Sequence, residues 1–324
     1  MSQFLVTGVA GFIGSKVAEF LIAEGNKVVG VDNLNDYYDV NLKHYRLQAL
    51  KAMSGFQFIE LDIESKEATA QLLQNHVFEA IINLAARAGV RQSLLDPHIY
   101  MTTNAIGTLN LLEGMRHGGP RKMVLASTSS LYAGEKMPFL ESLPVNTPIS
   151  PYAASKKAAE SMAYTYHSLF GIDVSVVRYF TVFGPVGRPD MCIFRFIKWI
   201  AEGQPIELFG DGSQSRDFTY VDDIARGTIA AVKPVGYEVI NLGGGNNPIS
   251  LNQIIHWIEQ DLGKKAIIRS EPFQETDIKE TWADISKASE LLGWSPKVDI
   301  REGVRKTVNH YLENETFYKS IQLP

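Results

Sequence analysis

The feature that most constrains this chain is a glycine-rich turn between a strand and a helix, followed at a set distance by an acid. Phe4-Leu5-Val6-Thr7 reads as a buried strand, and Gly8-Val9-Ala10-Gly11-Phe12-Ile13-Gly14 follows at once. Beyond it Ile13, Val17 and Leu21 fall on one helical stripe, which Gly25 ends. Val28-Val29-Gly30-Val31 is the next strand and closes on Asp32, 24 residues after Gly8. Three such glycines mean little alone, but between a strand and a helix, with the acid in place, they specify a dinucleotide site. Gly8 allows the tight turn, Gly11 lets backbone approach a pyrophosphate, and Gly14 permits close helix–strand packing. The helix N-terminus offers N–H groups and the positive end of its dipole to the phosphates. Asp32 can accept hydrogen bonds from a ribose 2′-OH and repels a 2′-phosphate. Neither Arg nor Lys follows directly in Asn33-Leu34-Asn35, so NAD is expected rather than NADP.

Strands continue to alternate with helices. Phe56–Leu61, Ala80–Ala86, Met123–Ala126 and Val174–Phe180 read as strands. The pattern predicts an α/β fold, a Rossmann-type doubly wound parallel sheet covered on both faces. Asp62 and Ile63 end the third strand. There Asp62 suits an adenine amino group, or equally a helix cap for residues 65–74. Leu84, Ala85 and Ala86 bring small side chains to the end of the fourth strand, where backbone can lie against a cofactor. After Phe183-Gly184-Pro185 glycine and proline become frequent, and 185–190 reads as an interdomain loop. The expected division is a dinucleotide-binding domain over 1–182, with about 217–246 returning to it, and a smaller, mostly C-terminal α/β substrate domain over the rest of 183–324. The residues from about Thr316 are expected to be loosely held.

A second motif carries chemistry. In Ser150-Pro151-Tyr152-Ala153-Ala154-Ser155-Lys156 the serine suits an N-cap and the proline the first helical position. Tyr152 and Lys156 then share one helix face. An ammonium close to a phenol favours the phenolate, which can act as a general base near neutral pH. By itself the pair is more often an exposed aromatic–lysine contact, and the rest of the chain has to decide. The strand before it delivers Ser127-Thr128-Ser129-Ser130 at a carboxyl end, where open α/β sheets bind ligands. Those hydroxyls serve either as turn and cap groups or as donors to a substrate.

Composition removes other classes. A formal charge of −5 offers no basic surface to nucleic acid. Cys192 is the single cysteine and reads as a small buried apolar residue, and the seven histidines have no metal-ligand spacing. No metal is expected. No apolar run reaches membrane-spanning length, and the first residues lack a signal-peptide pattern, so a cytoplasmic protein is expected.

Together these residues resemble the extended short-chain dehydrogenase/reductase family of nucleotide-sugar epimerases and dehydratases. The likeness runs from Thr7–Gly14 to Trp282–Ala288 and Leu291–Trp294. Residues 32–39, Ala88-Gly89-Val90-Arg91 and Gly184–Met191 look like the UDP-glucuronate 4-epimerase branch. The resemblance implies that Gly8, Gly11, Phe12, Ile13, Gly14, Asp32 and Asn33 hold NAD, with Asp62 and Ile63 at the adenine. It adds Leu84, Ala85, Ala86, Asn104, Tyr152, Lys156 and Tyr179 to the cofactor site. Thr128, Tyr152 and Lys156 become the catalytic set. Ser129, Ser130, Thr181, Arg188, Arg216 and Asp277 become contacts to a UDP-sugar, with Arg216 facing the diphosphate. Two positions depart from the pattern: Arg87 stands where relatives usually have an uncharged residue, and Glu275-Thr276-Asp277 replaces Pro-Gly-Asp.

The implied reaction is redox-neutral. Tyr152, assisted by Thr128, takes the proton of the sugar 4-OH, the C4 hydrogen passes to NAD as hydride, and hydride returns to the other face of the 4-keto sugar. A dehydratase needs an acid–base pair beside Thr128, and the related decarboxylases carry Glu at the place of Ser130. Two serines here leave epimerisation. Arg188 reads either as a solvated or interdomain arginine or as a bidentate clamp on a C6 carboxylate. The alternatives are an epimerase of UDP-glucose or UDP-N-acetylglucosamine and, from another class, a catalytically silent NAD-binding regulator. The regulator should lack Thr128, Tyr152 or Lys156, and all three are present. A homodimer is expected through helices at 99–116 and 151–170, whose Met101, Met115, Met162 and Tyr166 suggest a second apolar face.

Overall fold

A computed structural model describes residues 1–245, 248–273 and 279–324. In chain order the first lobe contains β1 (Gln3–Thr7), α1 (Phe12–Ala23), β2 (Lys27–Asp32), α2 (Val40–Lys51), β3 (Phe56–Glu60), α3 (Lys66–Asn75) and β4 (Ala80–Asn83). It continues with α4 (Pro97–Tyr100), α5 (Gly107–Arg116), β5 (Lys122–Thr128), α6 (Pro151–Phe170) and β6 (Asp173–Tyr179). Then come β7 (Thr181–Phe183), α7 (Cys192–Glu202), β8 (Pro205–Phe209), β9 (Ser215–Arg216), β10 (Phe218–Tyr220), α8 (Val221–Ala230) and β11 (Tyr237–Leu242). The chain closes with β12 (Ile249–Ser250), α9 (Leu251–Leu262), β13 (Ile267–Glu271), α10 (Ser286–Leu292), α11 (Ile300–Glu313) and α12 (Glu315–Ser320).

The seven-stranded sheet has the order β11-β6-β5-β4-β1-β2-β3, and every pairing in it is parallel. Both faces are covered, as near-continuous apolar strands require. On one face Val17, Ala18 and Leu21 of α1 pack with Leu47 of α2 and Ile224 and Ala225 of α8. On the other, Leu72 and Leu73 of α3 pack with Leu111, Leu112 and Met115 of α5 and Ala159, Ala163 and Tyr166 of α6. The strand order reverses between β4 and β1, so the crevice for a ligand opens there.

A second apolar core joins Phe194, Phe196 and Ile197 of α7 to Ile254 and Ile258 of α9 and Val304 and Val308 of α11. Tyr38 and Leu42, from the start of α2, enter this core and tie the two lobes. Short pairs β8–β13 and β7–β10 are parallel, and β9–β12 is antiparallel.

Three expectations need correction. The C-terminal residues are not loose: α12 buries Tyr318, Ile321 is 2% exposed, and Lys198 Nζ donates to the Tyr318 carbonyl at 2.8 Å. Their apolar side chains complete the second core, which a reading of terminal position alone misses. The helix at 99–116 is broken into α4, a π-helical stretch Met101–Ile106, and α5. Finally, Met115 and Tyr166 point inward, at 1% and 7% exposure, and cannot form an outer apolar face. The exposed apolar residues of these helices are Met101, Ile106, Tyr164 and Leu169.

Candidate active site

A cavity of about 610 Å³ runs from the glycine turn, past the carboxyl ends of β4, β5 and β6, to the second lobe. Its floor is set by glycines. A Cβ on Gly14 would lie 2.2 Å from the Gly8 carbonyl oxygen, and one on Gly8 would lie 2.7 Å from the Ala85 nitrogen. Gly8 also has φ +65°, a conformation that L side chains adopt at a cost. Phe12 and Ile13, at the start of α1, line the same wall. The Thr7 hydroxyl accepts from the Leu84 and Ala85 amides at 3.1 Å, which folds Leu84–Ala86 against the turn.

Asp32 sits at the end of β2, 8% exposed. Its carboxylate accepts from the amides of Ala10 and Leu34, and Lys43 Nζ approaches to 3.5 Å. Burial pushes the Lys43 ammonium below its ordinary pKa, against the pull of Asp32. Asn33 donates to Asp62 at 2.8 Å, so both face the same end of the cavity. Ser65, not Asp62, caps α3. Asp62 instead folds the preceding turn through the Glu64 amide, while Ile63 lines the cavity beside it.

At the other end, Ser150 caps α6 by accepting from the Ala153 amide, and Pro151 occupies the first turn. That fixes Tyr152 and Lys156 one turn apart, both on the cavity. Thr128, Ser129 and Ser130 line it from the end of β5, and the Thr128 hydroxyl accepts from the Ser130 amide at 3.1 Å. Ser127 is tied to Glu160 at 2.6 Å. Glu160 takes two hydrogen bonds from Arg178 at 2.8 and 2.9 Å, so a buried ion pair braces the strand end that carries Thr128.

Burial dominates the electrostatics of both groups. Burial raises the Tyr152 pKa, opposed by a hydrogen bond with Thr128 and by the charge of Arg188. Lys156 Nζ donates to the Ala126 carbonyl at 3.0 Å, and burial pushes its pKa down to about 8 against the attraction of Glu160. Burial disfavours the charged form of both groups, and the charge of Arg188 opposes that for the Tyr152 phenolate.

Arg188 lines the cavity beside Asp190, donating to it from Nε at 3.0 Å and also from Nη2. Burial works against the guanidinium charge, but Asp190 outweighs it and keeps the pKa above the ordinary arginine range. Thr181 and Arg216 also reach the cavity, and Arg216 donates to the carbonyls of Ser215 and Lys279. Tyr179 lines it while its hydroxyl is engaged with Thr228 at 2.8 Å. Asn104 projects from the π-helical stretch, and its amide is spent on the Arg87 backbone and on Ser155. It shapes the segment after β4. Asp277 lies outside the described residues. Among the described residues no group of acids, histidines and cysteine is arranged to hold a metal, and no helix is long and apolar enough to cross a membrane.

Sequence reasoning assigned no role to several residues that meet here. Tyr37 donates to the Ala88 carbonyl and lies 3.3 Å from the Tyr100 hydroxyl. The Tyr100 ring meets Tyr152 edge-on, with centroids 6.2 Å apart. Arg195 stacks over Trp199 on the second lobe's wall. Tyr37 and Asp190 belong to the quoted motifs. Lys43 and Arg195 carry no local signal beyond a cation on a helix.

A doubly wound parallel sheet with a glycine turn, an acid at β2 and Thr, Tyr and Lys on one cavity defines an extended short-chain dehydrogenase/reductase. Residues 5–307 match the family model described as GDP-mannose 4,6 dehydratase, and the chain belongs to that family. It is 59% identical over 323 residues, all of both chains, to a UDP-glucuronate 4-epimerase of Thermodesulfobacterium geofontis. It is similar to the UDP-glucuronic acid 4-epimerase of Bacillus cereus solved with UDP-glucuronic acid and NAD: TM-score 0.89, 40% identity, covering 96% of this chain and 99% of that one. A UDP-glucose 4-epimerase of Thermotoga maritima with UDP-glucose gives TM-score 0.87 and 32% identity over 97% of this chain and 99% of that one.

Proposed function

We propose that this enzyme is an NAD-dependent UDP-sugar 4-epimerase that interconverts UDP-glucuronate and UDP-galacturonate. The observation that carries the substrate is Arg188, a guanidinium on the cavity wall close enough to Tyr152 for its charge to oppose the rise that burial imposes on the Tyr152 pKa. The 59% identity over the whole chain to a UDP-glucuronate 4-epimerase supports it.

The residues fit the dinucleotide. The glycine turn packs so tightly on itself and on Ala85 that no Cβ fits at Gly8, Gly11 or Gly14, which keeps its backbone open to a pyrophosphate, and Asp32 stands where a ribose hydroxyl needs an acceptor. In this reading Gly8, Gly11, Phe12, Ile13, Gly14, Asp32 and Asn33 seat it, with Asp62 and Ile63 at the adenine. Leu84–Ala86, Tyr179 and Lys156 flank the other half, behind which Asn104 acts through the Arg87 backbone. When bound, NAD takes the hydrogen of sugar C4 as hydride and later returns it.

The chain's own groups do the rest. Tyr152 removes the 4-OH proton, and Thr128 passes hydrogen-bonding strength to its oxygen. Arg188 lowers the cost of the phenolate. Lys156 adds positive charge from below. Ser129, Ser130 and Thr181 orient the sugar ring, and Arg216 and Asp277 hold the nucleotide diphosphate and uridine. Arg188 also binds the C6 carboxylate. The 4-keto uronic acid is a β-keto acid, and an ion pair that stabilises its carboxylate opposes loss of carbon dioxide. Domain roles follow: residues 1–182 with about 217–246 hold NAD, and the rest of 183–324 holds the UDP-sugar. The exposed Met101, Ile106, Tyr164 and Leu169 support a homodimer that buries the π-helical stretch Met101–Ile106 and α6 of each copy. The pools of NAD and nucleotide sugar that the reaction draws on support a cytoplasmic location.

The test is to incubate the purified enzyme with UDP-glucuronate, adding no nucleotide, and follow the sugar protons by NMR. UDP-galacturonate should accumulate to equilibrium. Conversion of UDP-glucose with none of UDP-glucuronate would overturn the reading.

A further inference from the structure

Arg46 of α2 is 5% exposed and lies outside every motif above. Nε and Nη2 donate to the Val186 carbonyl at 3.1 and 2.7 Å, and Nη2 to the Gly187 carbonyl at 3.1 Å. Nη1 donates to the Ala10 carbonyl at 3.0 Å and to the Tyr38 hydroxyl at 2.8 Å. One guanidinium thus joins the glycine turn to the residues just before Arg188.

The joined loop needs holding. Val186 has φ +53°, a left-handed conformation that a β-branched residue strongly resists. Its amide donates to the Tyr318 hydroxyl at 2.9 Å, and that hydroxyl is in turn engaged with His310 at 2.8 Å. Val186 is therefore held at its carbonyl by Arg46 and at its amide by Tyr318, one peptide unit on each side of its Cα. On the other side, the amide of Ala10 donates to Asp32 at 3.2 Å, so the same clamp reaches the acid of the dinucleotide site.

We infer that Arg46 is a positioning residue that holds the Val186 turn in its left-handed form, aims Arg188 at the sugar carboxylate, and links that aim to the seating of NAD. The inference rests on the uronate reading of Arg188 for its substrate arm only. A lysine in place of Arg46 has one nitrogen and cannot span three carbonyls and a phenol. Glycine at 186 adopts positive φ freely, so it should keep the turn without the clamp.

The experiment uses the NAD-loaded enzyme as purified: wild type, Arg46→Lys, Tyr318→Phe, and Arg46→Lys combined with Val186→Gly. KM and kcat are measured with UDP-glucuronate and UDP-glucose, and NAD release is followed after dilution. Arg46→Lys should raise KM for UDP-glucuronate by roughly 10- to 100-fold, change kcat about threefold or less, and speed NAD release about tenfold. KM for UDP-glucose should move far less. Tyr318→Phe should shift the sugar preference in the same direction by a few-fold, and it decides the matter if Arg46→Lys does not fold. Adding Val186→Gly should recover much of the KM loss but not NAD retention. Equal losses on both sugars, a fall in kcat at constant KM, or no recovery with glycine would overturn the clamp. If wild type itself prefers UDP-glucose, the uronate reading fails instead, and NAD release still judges Arg46.

Discussion

Arg188 and Asp190 face each other across a single loop, with Nε 3.0 Å from Oδ1 and Nη2 bonded to Oδ2. The carboxylate takes the Nε–Nη2 edge of the guanidinium, whose charge reaches Tyr37 and Tyr152. Asp190 therefore orients the arginine that the proposed substrate must meet. Asp190→Ala should raise KM for UDP-glucuronate about tenfold with little change in kcat, since orientation rather than chemistry is lost. Steady-state kinetics check it, and an unchanged KM would mean that Arg188 is aimed without Asp190.

Tyr152→Phe removes one oxygen from a packed wall. The fold and NAD content should persist, while turnover falls by about 10²–10⁴-fold, the usual size of a general acid–base contribution. Circular dichroism, bound-NAD absorbance and an epimerisation assay separate the three. A variant within a few-fold of wild type would take Tyr152 out of the proton transfer.

Asp32→Ala should weaken NAD binding and narrow the gap between NAD and NADP. The neighbouring Lys43, 3.5 Å away, then loses its partner and becomes available to a 2′-phosphate. Titration of both dinucleotides measures this. Equal binding of NAD and NADP by wild type would contradict the role given to Asp32.

Much of this was legible in the sequence, and the reasons are local. The glycine turn, the acid 24 residues on and the Ser150-Pro151 cap are short-range signals, and each appears where expected. The state of Tyr152 was not legible, because its pKa depends on burial and on Arg188 from another lobe. The tail was misjudged because Tyr318 is buried against Phe194 of α7, a long-range partner that position in the chain does not reveal, as well as against its neighbour α11. Arg46 was invisible for the same reason: its acceptors at Ala10 and Val186 are separated from it by 36 and 140 residues. The π-helical turn that aims Asn104 also has no signature in the helical periodicity of 99–116.

Asp217, 1% exposed, gives a pH test of stability. It accepts from the amides of Ala283 and Gly245, yet burial pushes its pKa up to about 6 from 3.8. Between those values the unfolded chain has released the proton and the folded one keeps it. Stability is therefore greatest below about pH 4 as far as this group is concerned, and is lost as pH rises through about 6. Asp217→Asn should remove that downward contribution. Denaturant melts at pH 4, 5, 6 and 7 on both proteins measure it, and parallel pH profiles would contradict it.

The most direct measurement compares kcat/KM for UDP-glucuronate and UDP-glucose on wild type and on Arg188→Leu. Wild type is expected to prefer UDP-glucuronate. The variant should lose about one to two powers of ten on that substrate, the worth of a charge-assisted hydrogen bond or two, and much less on UDP-glucose. A wild type that prefers UDP-glucose, or a variant that loses both activities equally, would contradict the assignment of this site to a sugar acid.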